Sequence, residues 1–158
     1  MDAVKKEMQA IFEAAGQKLV FNDPGAAVGT YNGTYSLTIS ARLPDVLEQL
    51  NADPTYSGLV GITMGKTFMS DASYAFSDEK GHMINRGIVS TYWTGKYVPE
   101  GTTFSAYLGQ MGAHEAGHWF LKQLFGTGHA RDKSLMGEGV PGSRFSKKQA
   151  AALSKLCK

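Results

Sequence analysis

The sequence predicts an α+β domain in which a mixed twisted sheet packs on one long helix and a short helix closes the chain. Three observations carry this. Apolar residues recur at three-to-four spacing near the N-terminus and again from Thr102 onward. Between those stretches lie runs of β-branched and aromatic residues separated by Gly, Ser and Asp clusters. Close to the C-terminus, Ser146-Lys147-Lys148-Gln149 has the form of a helix-capping box.

The elements follow in order. Asp2 to Ala15 carries Val4, Met8, Ile11 and Phe12 on one stripe with Gly16 as a stop, an amphipathic helix. Lys18 to Asn22 reads as a short strand, and Val28 to Ala41 as a hairpin turning at Asn32-Gly33. Pro44 to Leu50 allows a short helix with proline in its first turn. Leu59 to Met64, Ser73 to Phe76 and Arg86 to Trp93 read as three further strands. From Thr102 or Thr103 as N-cap, Phe104, Tyr107, Leu108 and Met111 open a long helix expected to run toward Phe125. A glycine-rich stretch follows, and the capping box starts a last helix ending near Leu156.

No linker or repeat divides residues 1–158, so a single catalytic-size domain is expected. Charged residues make up 19% and hydrophobic ones 42%, too balanced for a disordered chain. Net charge is +2 with no strong block of one sign, which gives no case for a nucleic-acid partner or a membrane surface. The lone Cys157 cannot form an internal disulfide. The N-terminus lacks the apolar core of a signal peptide, and no apolar run approaches the ~20 residues of a membrane helix. A soluble chain is expected, either cytoplasmic or a mature or excised domain of an exported protein, with oligomeric state open.

Within the long helix stands His114-Glu115-Ala116-Gly117-His118, an H-E-x-x-H pattern. Residues four apart on a helix lie about 40° apart around its axis and one turn apart along it, so both imidazoles reach one ion. Glu115 flanks the pair and suits a general base acting on water without being a ligand. A helix with two incidental histidines would meet the same spacing. Farther on, the string from Gly126 through Gly128, His129 and Asp132 to Leu135-Met136 adds a third histidine and a methionine.

Together these residues resemble the metzincin signature of the zincin peptidases, closest to matrix-metalloproteinase-like members over about Ala113 to Met136. The resemblance implies a Zn²⁺ cofactor held by His114, His118 and His129, with Glu115 as catalytic base. Met136 would form an apolar Met-turn floor beneath the metal. It further implies an endopeptidase acting on protein or peptide substrates, the strand near Ser73 to Phe76 serving as the edge along which they lie. Two departures stand out. Metzincins have two residues between the second histidine and the glycine, whereas Trp119 to Phe125 makes seven here. No tyrosine follows two positions after Met136, so the tyrosine switch of astacin-like members has no counterpart there.

Other readings share the motif. Asp132 or Glu138 could supply a carboxylate third ligand, as in another zincin branch. The chain could be a protease effector domain of a toxin, or a non-catalytic zinc-containing domain that binds peptides.

Overall fold

In a computed structural model of the chain, residues 1–21, 36–40, 73–77, 83–121, 130–137 and 142–155 are described. The N-terminal stripe forms helix α1, Asp2–Ala14, and buries Val4, Met8, Ile11 and Phe12. Burying such side chains contributes roughly 1.5–3 kcal/mol each, which a helix this short needs because propensity alone leaves it marginal. Gly16 follows at φ 77°, the left-handed conformation that ends helices and favours glycine.

Among the described residues, three short strands come next: β1, Ser36–Ser40; β2, Ser73–Ser77; and β3, Met83–Ser90. They form one sheet in the order β1-β3-β2, with β1 parallel and β2 antiparallel to β3. Leu37 pairs with Gly87 and Ile39 with Val89, and Leu37, Ile39 and Val89 turn to the core. The chain leaves β3 directly into helix α2, Thr91–Lys96. The strand expected to reach Trp93 therefore stops at Ser90. Thr91-Tyr92-Trp93 has strand-like side chains, but that preference follows context and yields here to a helical turn.

Helix α3, Phe104–Phe120, is the longest element. Thr103 caps it, its hydroxyl accepting the Ala106 N–H at 3.2 Å. It packs most extensively on α1 and also against β3. The close crossing with α1 depends on Gly109, where an added Cβ would lie 2.7 Å from the Glu7 Cβ and 2.9 Å from the Val4 carbonyl oxygen. The expected continuation through Phe125 is corrected: the helix ends at Phe120. Buried Leu121 is its C-cap, with its N–H donating to the Gly117 carbonyl at 2.9 Å. Hydrophobicity in Trp119 to Phe125 keeps a helical rhythm in the sequence, but it does not fix where the backbone turns.

The last helix, α4, Lys147–Leu153, starts at Ser146 with both halves of the capping box made. Phe12 ties three regions together. Its ring meets Phe120 at 5.6 Å and Phe145 at 5.2 Å, both edge-on. Gln17 donates from Nε2 to the Leu153 carbonyl at 2.6 Å, joining the chain after α1 to the end of α4.

The expectation of a zincin- or metzincin-like mixed twisted sheet as the body of an α+β fold is overturned. Helix outweighs strand among the described residues, with helices of 13, 6, 17 and 7 residues against strands of 5, 5 and 8. Among the residues whose burial is described, the buried apolar set lies in the helices and adjoining loops and at Val89 of β3, with Leu37 and Ile39 of β1 packed partly buried against it. Helix α1 contributes Val4, Met8, Ile11 and Phe12 to the core and α3 contributes Tyr107, Leu108, Met111, Ala113 and Ala116, so helix-on-helix packing supplies most of the described core.

Lys18 to Phe21 form no strand, and Asn22 lies outside the described residues. The segments read as the hairpin turn at Asn32-Gly33, the helix Pro44 to Leu50 and the strand Leu59 to Met64 lie outside them as well. No described helix is long and apolar enough to cross a membrane.

Candidate metal centre

The C-terminal half of α3 buries His114, Glu115 and His118 together, each under 8% exposed. Polar groups at that depth are costly unless they have partners, so their bonding is informative. The Nδ1 of His114 lies 2.6 Å from the carbonyl oxygen of Leu135. A carbonyl only accepts, so this nitrogen carries the proton and donates it. In the neutral ring the lone pair then belongs to Nε2.

That Nε2 faces the Nε2 of His118 at 3.1 Å, with the two rings nearly perpendicular at 88° and their centroids 4.7 Å apart. Two arrangements satisfy this contact. His118 donates a proton into the His114 lone pair, or both lone pairs converge on one cation. With Zn–N bonds of about 2.05 Å, nitrogens 3.1 Å apart subtend about 98° at the metal, near enough to tetrahedral for the pair to fit as zinc ligands. The Nδ1 bond to a backbone carbonyl is the support that metal-binding histidines normally carry. The early end of α3 also matters: His118 stands in its last turn, where the helix dipole favours positive charge.

Glu115 Oε1 stands 3.9 Å from His114 Nε2, too far for a direct hydrogen bond. Met136 packs on the same helix at Gly117. A Cβ at Gly117 would overlap the Met136 sulfur and come within 3.1 Å of Phe145 Cε1, so glycine between the two histidines lets the methionine pack against the helix backbone. Met136 is buried.

The loop carrying Leu135 and Met136 is closely held. Leu135 N–H donates to the Arg144 carbonyl at 2.6 Å, while Gly137 and Gly142 N–H groups both donate to the Ser134 carbonyl at 2.9 Å. Asp132 Oδ1 accepts the Ser134 N–H at 2.9 Å, an Asx-type turn. From the other side, Gln149 Nε2 in α4 donates to the Ser134 hydroxyl at 3.0 Å.

Thus His114, Glu115 and His118 come together, and Met136 packs on the same helix at Gly117. Asp132 is exposed and occupied in its own turn. His129 and Glu138 lie outside the described residues, though Ala130, which follows His129 in sequence, donates its N–H to the Met136 carbonyl at 2.7 Å. Among the described residues no set of three His, Cys, Asp or Glu side chains has metal-holding geometry, so the two histidines account for two donors.

Sequence reasoning missed the Leu135 carbonyl, Ser134 and Gln149. A backbone acceptor has no residue signature, and the capping box pointed only to its own helix. Tyr107, two turns before His114, is buried, and burial pushes its phenol up from the ordinary value near 10. It belongs to the core packing of α3. No protein-family model matches the chain, and no curated protein or solved structure shows detectable similarity to it.

Proposed function

We propose that the chain is a zinc-dependent endopeptidase with a metzincin-type site, His114 and His118 being two of the metal ligands and Glu115 the general base. The observation that carries this reading is the facing Nε2 pair, with the His114 Nδ1 proton already committed to Leu135. Zinc, when bound, supplies Lewis acidity that polarises a carbonyl and makes water a stronger acid. Glu115 then accepts a proton from the attacking water and returns it to the leaving amine nitrogen. The Leu135 carbonyl holds the His114 ring in one tautomer and orientation throughout.

His129 is proposed as the third ligand ahead of Asp132 and Glu138. The bond from Ala130 to Met136 supports it, because Met136 also packs against Gly117 between the two helical histidines. Asp132 is less suited, since its Oδ1 already accepts from Ser134. Peptide substrate is proposed to pair with β2, one of the two edge strands of the described sheet. A purely structural zinc site would have no use for a carboxylate beside the histidine pair, which favours the catalytic reading over a binding domain. The test is zinc content together with hydrolysis of a generic denatured protein. Zinc-replete protein that cleaves nothing would exclude the endopeptidase reading.

A further inference from the structure

The His114 ring is held by a backbone atom, so its orientation is only as well defined as the loop that carries the Leu135 carbonyl. That loop depends in turn on a side-chain tie to a separate helix. Gln149 is buried, and its whole amide is used. Its Oε1 accepts the Ser146 N–H at 2.8 Å, closing the capping box, while its Nε2 donates to the Ser134 hydroxyl at 3.0 Å. Ser134 is buried, adjoins Leu135, and its own carbonyl anchors Gly137 and Gly142. A capping box needs only the oxygen of its Gln, because the reciprocal bond is accepted from the N-cap N–H. The Nε2 to Ser134 bond is therefore surplus to capping, and it joins α4 to the residue preceding the histidine's acceptor.

We propose that Ser134 and Gln149 are positioning residues for the His114 imidazole: they clamp the 134–136 backbone so that Leu135 receives the Nδ1 proton and Nε2 is presented to the metal. This rests on the zinc-peptidase reading for its purpose, though the effect on the ring does not require zinc. Ser134→Ala removes the hydroxyl and leaves the capping box intact. Gln149→Glu keeps the box oxygen and still takes a hydrogen bond from the Ser134 hydroxyl, which can rotate to donate. Gln149→Met removes both functions at similar length.

Two measurements on each variant decide the matter. The first is the histidine ring ¹⁵N spectrum of the metal-free protein, which reports the tautomer of His114 and the exchange rate of its Nδ1 proton. Wild type is expected to show one Nδ1-protonated tautomer with a slowly exchanging proton. Ser134→Ala and Gln149→Met should show mixed tautomers and exchange faster by about tenfold or more, and Gln149→Glu should stay near wild type. The second is zinc affinity by chelator competition, expected to weaken about tenfold in Ser134→Ala, the lower end of outer-shell effects. If Ser134→Ala lowers thermal stability but leaves the His114 tautomer and proton exchange at wild-type values, the clamp is structural only and the proposal fails. Should wild type bind no zinc, the peptidase reading falls, while the ring spectra still decide whether Ser134 and Gln149 orient His114. If Ser134→Ala does not fold, the contrast between Gln149→Met and Gln149→Glu in the same spectra carries the decision.

Discussion

The carbonyl oxygen of Leu135 accepts the Nδ1 proton of His114 across 2.6 Å, joining α3 to the loop that carries Met136. One bond thus fixes the histidine's tautomer, and the next residue, Met136, packs on the same helix at Gly117. It makes the helix and the loop a single unit, so changes in either are expected to register at the ring that faces His118.

Replacing Glu115 with Gln is expected to leave zinc stoichiometry unchanged and to lower hydrolysis by about 10²–10⁴-fold, the range a general base contributes. Elemental analysis beside a turnover assay checks it. Full activity in the zinc-loaded variant would remove Glu115 from the mechanism.

Gly117→Ala should be costly although alanine favours helix. Its Cβ would overlap the Met136 sulfur and crowd Phe145. Overpacking of this kind typically costs about 1–3 kcal/mol, against the roughly 1 kcal/mol that Gly to Ala gains in a helix interior. Denaturant unfolding measures the balance, and the expected sign is destabilising. A more stable variant would mean that Met136 has room to move aside.

The third ligand separates the variants by zinc content. His129→Ala should weaken zinc binding and abolish hydrolysis, whereas Asp132→Ala and Glu138→Ala should keep one zinc per chain. Asp132→Ala should instead lose about 1 kcal/mol of stability, the typical worth of the hydrogen bond its Oδ1 accepts from Ser134. Loss of zinc from Asp132→Ala or Glu138→Ala with retention in His129→Ala would reverse the assignment and end the metzincin comparison.

The meeting of His114 and His118 was legible because their spacing is set by helix geometry: residues 114 and 118 share a face whatever surrounds them. The extent of α1 and the start of α4 were readable for similar local reasons, the stripe from Val4 to Phe12 and the box at Ser146, though α4 ends at Leu153 and not near Leu156. The end of α3 was not, because Trp119 to Phe125 keeps an apolar pattern past the point where Leu121 turns the chain. The sheet was overread, since runs of Val, Ile and aromatic residues fit a strand or a buried helical turn equally and only tertiary packing chooses between them. Nothing local could have disclosed the tie between Ser134 and Gln149, fifteen residues apart and on different elements.

Tyr107 gives a test of the α3 packing at alkaline pH. Burial raises its phenol above the ordinary value near 10, so the unfolded chain ionises first as pH rises. Its stabilising contribution is whole below about pH 10 and is lost as pH climbs through the folded value. Tyr107→Phe should flatten the fall in stability above pH 10 in a denaturation series. An unchanged slope would mean that another group governs it.

The most direct test of the metal centre is elemental analysis of wild type and His118→Ala purified in parallel without added chelator. On the proposed reading, the facing Nε2 atoms of His114 and His118 are two of the zinc donors. The expected result is one zinc per chain in wild type and little in His118→Ala, with both proteins folded. Equal zinc in the two, or none in wild type after exposure to stoichiometric zinc, would mean that the histidines share only a hydrogen bond.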